Sequence, residues 1–205
     1  MNFRILAKIL GALLLLESVA MLFCGIFTGL DAHCSCSWSQ GALLKSAAIT
    51  ASFGAVLMLA GWSKIIKIPR REGVVIVGLG WILSGIFGGL PYLLSEPGMM
   101  PEDALFESVS GFTTTGSTVM TDIESWPRGI LMWRSVTQWL GGLGILVLFV
   151  ALLSYLGVGT KSLFRNESSF QTGEASTARI RDTAISLWRV YLSITAICIL
   201  GLKAM

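Results

Sequence analysis

The chain has 205 residues, of which 54% are hydrophobic and 13% charged, and its formal net charge is +3. A soluble domain carries about 25% charged residues, so this composition excludes a soluble globular enzyme and a disordered protein. The small positive charge gives no basis for a nucleic-acid partner, whereas the clustering of apolar residues in long runs predicts that the bilayer is the solvent.

Two membrane-spanning helices are predicted at the N-terminus, within 1–68. About 20 apolar residues cross the hydrocarbon core as a helix. Residues 9–30 contain one charge, Glu17, and residues 46–63 contain none. A signal peptide is the alternative for the first run, but the run is longer than an ordinary signal peptide core and no small-residue cleavage site follows it.

Two features of this N-terminal pair leave alternatives open. Glu17 within a membrane span is a functional candidate by default; the alternative is that it faces a neighbouring helix and bonds to Ser or Thr. The loop after the first span carries Cys34 and Cys36 beside His33, the single histidine of the chain. A metal site and a disulfide are both conceivable there, but the spacing lacks a recognised framework and favours neither.

Three further apolar runs, residues 73–95, 135–160 and 184–202, predict spans three to five. Lys and Arg cluster before span one and in the links after spans two and four, whereas most acidic residues fall on the other side. The positive-inside rule therefore predicts a cytoplasmic N-terminus. Tryptophans near the predicted span ends are typical of an aromatic belt; they are Trp38, Trp62, Trp126, Trp133 and Trp139.

Glycines are frequent in spans three and four, for example at Gly88 and in the cluster 141–144. Small residues let membrane helices approach closely, so these positions predict tight helix packing. A gating hinge at 141–144 is the alternative interpretation.

The segment between spans three and four predicts a re-entrant element. Pro101, followed by two acidic residues, is typical of a helix start. Residues 102–112 then carry an apolar face but are too short to cross a bilayer. Both ends of this short helix lie outside by the charge distribution, so we expect it to enter and return on one side. A polar extracellular loop is the alternative from composition alone.

An irregular stretch follows the short helix, with the sequence Thr113-Thr114-Thr115-Gly116-Ser117-Thr118. Irregular backbone at membrane depth is tolerated only where it lines a watery path or is buried in protein. Its carbonyl oxygens can then replace the water shell of a cation, and Gly116 permits the φ that turns successive carbonyls toward one axis. This stretch therefore predicts an ion path, with Thr and Ser hydroxyls holding it from behind.

Residues 106–117 (FESVSGFTTTGS) resemble the first pore loop of the Trk/Ktr potassium-transporter family, in its TrkH branch. The stretches that also resemble this branch are Pro91-Tyr92, Trp133-Arg134-Ser135, 138–144 (QWLGGLG) and Gly157-Val158-Gly159. The resemblance implies an all-α polytopic membrane protein in which helix–pore loop–helix units are repeated four times around one pore, often after two extra N-terminal helices.

On that template the chain has five transmembrane helices plus one re-entrant pore helix and filter loop. The resemblance implies two N-terminal helices in 1–68 and a first pore unit over 69–160. A cytoplasmic link at 161–182 and the first helix of an incomplete second unit at 183–205 would follow.

The resemblance also implies potassium transport across the bacterial inner (plasma) membrane, without enzymatic chemistry and with no cofactor other than the transported ion. The expected filter carbonyls belong to Thr113, Thr114, Thr115 and Gly116, with Thr114 and Thr115 as the direct K⁺ ligands. Glu107 and Ser117 are expected to support the filter; direct contact with the ion is the alternative for Glu107. Arg134 is expected to join them and to pair with Glu107, Asp122 or Glu124.

A single filter-type stretch is present in the sequence, because the nearest other Thr-Gly pair, Thr172-Gly173, falls in a charged link. Family members use four pore loops in one chain, so the resemblance predicts an N-terminal portion that is inactive alone. Expected partners are membrane lipid, the remaining pore units or a homodimer mate, and a cytosolic nucleotide-binding regulatory subunit, with no nucleic acid. A pore-less membrane scaffold or accessory subunit is the alternative function.

Overall fold

The structure is a computed structural model that describes residues 3–30, 37–61, 70–156 and 174–204. Every regular element within those ranges is an α-helix, which confirms the predicted all-α class. The helices are α1 (Phe3–Leu30), α2 (Ser37–Ala60), α3 (Arg70–Gly88), α4 (Leu90–Leu94), α5 (Pro101–Phe112), α6 (Arg128–Leu156) and α7 (Glu174–Ala204).

Four stretches in the described part of the chain are long and apolar enough to cross a membrane. They are Phe3–Leu30, Ser39–Ala60, Val75–Leu94 and Ile185–Lys203, and they correspond to predicted spans one, two, three and five. Predicted span four lies on α6, and its last residues, 157–160, fall outside the described ranges. The total of five spans therefore stays a prediction.

Several helix boundaries differ from the apolar runs. Helix α2 begins at Ser37, well before the apolar run at 46–63, and α7 begins at Glu174, so the end of the predicted link is helical. The third span is interrupted at Gly89, between α3 and α4. Pro91 explains this break, because proline has no N–H to continue the helix and its ring clashes with the carbonyl four residues earlier.

Several predictions concern residues outside the described ranges. The His33, Cys34 and Cys36 group falls there, and so do Trp62 and most of the cytoplasmic link, residues 161–173.

The chain divides into two compact units, residues 1–141 and 142–205. In the first unit, α1 and α2 pack along each other, with Met21 and Cys24 of α1 in the same buried cluster as Leu43 and Ala47 of α2. The short helix α5 packs against α3 and α4 within this unit.

Trp133 anchors the core of the first unit and is fully buried. Its ring meets Phe112 of α5 edge to face, with centroids 6.5 Å apart, and its Nε1–H donates to the Gly88 carbonyl oxygen at 2.9 Å. The prediction that Trp133 belongs to an aromatic belt is therefore wrong. This residue joins three helices instead, because its polar N–H finds a buried partner.

The second unit contains the end of α6 and helix α7. Helix α6 approaches α7 closely at Gly142, where an added Cβ would lie 2.5 Å from the Tyr191 hydroxyl oxygen. The glycine cluster 141–144 thus acts in helix packing at this position, as its small residues predict.

Candidate functional site

Helix α5 ends in a tight turn that reverses the chain into the predicted filter. The Thr114 N–H donates to the Gly111 carbonyl oxygen (2.9 Å), and the Thr115 N–H donates to that of Ser110 (3.0 Å). This pair of bonds defines a Schellman motif, which requires a left-handed residue just after the helix cap. Thr114 occupies that position with φ of 56°.

A threonine at this position is unusual, because glycine or asparagine normally fills it. Left-handed backbone costs an L-residue about 1–2 kcal/mol, and a β-branched residue there is a genuine outlier. Strained backbone of this kind persists only where the surrounding structure enforces it, typically at functional sites. The turn at Thr114 is therefore the local feature that most clearly marks the loop as functional.

Beyond the turn the chain runs without regular structure. Gly116 has φ of 76°, which agrees with the special backbone conformation predicted for it. Residues 113–117 are exposed, whereas Glu107, Ser108 and Ser110 on the preceding helix are buried. The loop therefore presents one side outward while its other side rests on α5.

Hydroxyl groups fasten the loop to α5. The Ser110 hydroxyl donates to the Ser117 carbonyl oxygen at 2.6 Å, and the Thr113 hydroxyl donates to that of Val109 at 2.7 Å. The hydroxyls of Thr113 and Thr115 lie 2.9 Å apart. Ser117 thus takes part in the support of the loop, through its backbone oxygen.

Glu107 binds the returning strand with a carboxylate that is 1% exposed. Its Oε2 accepts hydrogen bonds from the Thr118 hydroxyl (2.9 Å) and the Val119 N–H (3.2 Å). Its Oε1 forms an ion pair with Arg134 Nε at 2.6 Å. Of the three acidic partners considered for Arg134, the structure places it against Glu107.

Arg134 completes the connection between the loop and α6. Besides the ion pair, its guanidinium Nη2–H donates to the Gly116 carbonyl oxygen, at an Nη2–O distance of 3.1 Å. Charge-assisted bonds of this type are roughly twice as strong as neutral ones. We call Glu107, Arg134, Thr118 and the Gly116 carbonyl the brace, since together they fix the position of the loop between α5 and α6.

The outward oxygens of the loop have no such partners. Within the described ranges, the carbonyl oxygens of Thr113, Thr114 and Thr115 accept no hydrogen bond. They lie at the C-terminal end of α5, where the helix dipole is negative and favours a cation. Hydrogen bonds to α5 therefore fix one side of the loop. The three carbonyl oxygens on the other side are free to contact a cation.

The structure thus brings together the predicted site residues Glu107, Gly116, Ser117 and Arg134. Sequence reasoning missed the roles of Ser110 and of the strained Thr114. A signal for Ser110 was present, because it lies three residues after Glu107 and so shares the same helix face.

The chain matches the TrkH family, described as cation transport proteins, over residues 39–204. It is 39% identical to the Trk system potassium uptake protein TrkH of Halomonas elongata, an alignment that covers 100% of this chain and 42% of that protein. It is 37% identical to the protein of the same name from Escherichia coli (strain K12), covering 98% of this chain and 41% of that protein.

A solved structure of a TrkH protein also matches the chain. The crystal structure of the potassium transporter TrkH from Vibrio parahaemolyticus superposes with a TM-score of 0.79 and 34% sequence identity. The match covers 96% of this chain and 38% of that one. The chain therefore spans about two fifths of the length of these relatives.

Proposed function

Because the chain belongs to the TrkH family of cation transport proteins, we propose that it supplies one pore unit for the passage of potassium ions across a membrane. The unit consists of α3 with α4, the pore helix α5, the loop 113–118 and α6. Relatives named as potassium uptake proteins support potassium as the ion.

The observation that carries this proposal is the set of free carbonyl oxygens on a loop whose other side is fixed. Backbone oxygens can replace the hydration shell of a dehydrated cation when they are held in place. We assign the direct contacts to Thr114 and Thr115, flanked by Thr113. Gly116 contributes less, because its oxygen already accepts a hydrogen bond from Arg134.

The mechanism proposed is passage of the ion over these oxygens, with no covalent step and no cofactor. Glu107, Ser117 and Arg134 support the filter and do not contact the ion. Their bonds keep the loop from collapsing when an ion leaves, so the oxygens remain spaced for the next ion.

We place the chain in the bacterial inner membrane with its N-terminus in the cytoplasm, supported by the basic residues Arg4 and Lys8 at that end. Other pore units are needed to enclose the ion, and a cytosolic nucleotide-binding subunit is the proposed regulatory partner. By itself the chain is proposed to be inactive.

The experiment uses a chimera in which this chain replaces the corresponding part of the Escherichia coli relative, expressed in a host that lacks its own potassium uptake. We expect Gly116→Asp to abolish growth at low external potassium, because it adds a carboxylate and a strained backbone to the ion path. Ser125→Asp, which adds the same charge at another exposed loop position, should leave uptake nearly unchanged. Normal uptake by the Gly116→Asp chimera would contradict the proposal and favour a pore-less scaffold.

A further inference from the structure

A contact between Phe112, Trp133 and Gly88 lies directly behind the start of the loop. Phe112 is the last residue of α5 and precedes Thr113, so any displacement of its backbone passes to the loop. Its side chain is buried, and its carbonyl group abuts α6 at Gly141. The position of Phe112 therefore decides where the row of free carbonyl oxygens begins.

Two helices hold the Phe112 ring. The Trp133 ring of α6 meets it edge to face, with centroids 6.5 Å apart. On α3, a Cβ added to Gly88 would lie 2.5 Å from Phe112 Cε2, so only glycine leaves room for the ring. Aromatic pairs of this geometry contribute more than their buried area alone. We call Phe112, Trp133 and Gly88 the aromatic junction.

A hydrogen bond closes the aromatic junction, and the break in the third span makes this bond possible. In a regular α-helix the Tyr92 N–H would bond to the Gly88 carbonyl oxygen, but it donates to that of Gly89 at 3.1 Å. The Trp133 Nε1–H donates to the Gly88 oxygen instead, at 2.9 Å. A buried carbonyl group that loses such a partner is costly. This bond therefore fixes α3 and α6 to each other beside the pore helix.

The residue after Trp133 holds the other end of the loop. Arg134 donates to the Gly116 carbonyl oxygen at 3.1 Å, whereas Trp133 contacts Phe112. The free carbonyl oxygens of residues 113–115 thus lie between two points that consecutive residues of α6 fix. The separation of these points changes only if Trp133 or Arg134 loses its contact.

We propose that Trp133 is a positioning residue that sets the size selectivity of the loop. A smaller ion such as sodium is held well only if the carbonyl oxygens move inward, and a loop that is fixed at both ends resists this movement. Release of the Phe112 end permits it. The indole therefore favours potassium over sodium without contacting either ion. This inference rests on the proposed passage of potassium over the loop.

The first test measures amide hydrogen exchange in the full 205-residue chain, purified and placed in lipid nanodiscs. Trp133→Phe keeps an aromatic ring beside Phe112 but has no N–H for Gly88. We expect the amides of Thr114 and Thr115, which close the turn after α5, to exchange about tenfold faster, because the lost bond loosens the loop locally. Amides of α1 and α2 should keep their rates.

Trp188→Phe is the matched control, because that tryptophan lies on α7 and is 42% exposed. It should leave the exchange rates of the loop unchanged. Unchanged exchange at Thr114 and Thr115 in Trp133→Phe would overturn the proposal. An equal acceleration in α1 and α2 would overturn it too, because Trp133 would then serve the general stability of the chain.

The second test measures selectivity in the chimera with the Escherichia coli relative. The quantity is the ratio of rubidium uptake, as a tracer for potassium, to sodium uptake, since this ratio does not depend on the amount of folded protein. It should fall about fivefold in Trp133→Phe and stay constant in Trp188→Phe. Slower uptake of both ions by Trp133→Phe, at the wild-type ratio, would show a merely structural role and refute the proposal.

Phe112→Leu tests the aromatic junction from the pore helix. It removes the ring and should lower the uptake ratio in the same direction. Because both substitutions release the same contact, the double variant Phe112→Leu/Trp133→Phe should show little further loss. Losses that multiply would show that Trp133 acts without Phe112, contrary to the proposal.

The two tests separate this inference from the proposed function. A wild-type chimera that takes up no potassium would contradict the proposed ion passage. Hydrogen exchange needs no transport, so it still decides whether Trp133 positions the loop.

Discussion

The carboxylate of Glu107 holds three groups at once: the Thr118 hydroxyl, the Val119 N–H and the Arg134 guanidinium. Because the carboxylate is almost fully buried, none of these bonds is readily replaced by water. Loss of its charge leaves Arg134 without its counter-ion beside the Gly116 carbonyl. The brace is therefore the part of the site that is most sensitive to a single substitution.

We predict that Glu107→Gln lowers the free energy of unfolding by about 2–4 kcal/mol, since it leaves a partly buried arginine unpaired. Thermal unfolding of the purified chain measures the loss. Glu102→Gln on the same helix is the control, and we expect it to change little because that side chain is exposed.

The double variant Glu107→Gln/Arg134→Gln should recover part of this loss, because neither charge then remains alone. If Glu107→Gln unfolds at the same temperature as Glu102→Gln, the brace does not stabilise the chain as described.

Among single residues, the sequence predicted the special backbone conformation of Gly116 and the supporting role of Glu107, but not the burial of Glu107. It left three acidic partners open for Arg134, because the pair that forms is 27 residues apart in the chain and depends on how α6 packs. The left-handed Thr114 was not foreseen, since threonine disfavours that conformation and tertiary bonds impose it.

Helices α5 and α6 meet at the C-terminal end of α5. Gly141 of α6 lies so close to the Phe112 carbonyl oxygen that a Cβ would collide with it. The glycine pattern predicted tight packing, and the proline at position 101 predicted the start of α5. The break between α3 and α4 was not predicted, because the apolar run continues through it without a polar residue. A helix can break within such a run where nearby groups bond to the freed backbone N–H and C=O groups.

We predict that Gly141→Ala lowers the free energy of unfolding by about 1–3 kcal/mol, the usual cost of overpacking. The added Cβ would collide with the Phe112 carbonyl group, which is backbone and cannot move aside as a flexible side chain would. Thermal unfolding measures the stability, and potassium uptake by the Escherichia coli chimera should fall as α5 is displaced.

Gly78→Ala on α3 is the matched control, since nothing lies within 4 Å of its added Cβ. It should be neutral or stabilise by up to about 1 kcal/mol through helix propensity. Equal unfolding temperatures for the two variants would contradict the close approach at Gly141.

The described part of the chain combines the N-terminal helices α1 and α2 with helices α3 to α6 and a further apolar helix, α7. It spans about two fifths of the length of its relatives. Fold class and family were predictable because the apolar runs and the filter stretch are local in sequence. The packing around the buried Glu17 was not predictable, since it depends on contacts among α1, α3 and α5.

We predict that the 205-residue chain expressed alone gives no potassium-selective uptake above an empty vector, because one filter loop cannot enclose an ion. The chimera with the Escherichia coli relative should restore growth at low potassium in the same host. Uptake by the chain alone, equal to that of the chimera, would show that its copies build a pore without other units.

The left-handed turn at Thr114 carries a consequence for how the path can close. A threonine adopts this left-handed conformation only while the surrounding contacts enforce it. The backbone at Thr114 therefore relaxes to another conformation once those contacts are lost. If those contacts are lost, rotation of the single peptide unit after Thr114 is enough to redirect its carbonyl oxygen, and no helix has to move. In the proposed ion path this rotation would remove one ligand oxygen, and loss of the Arg134–Glu107 ion pair would favour it.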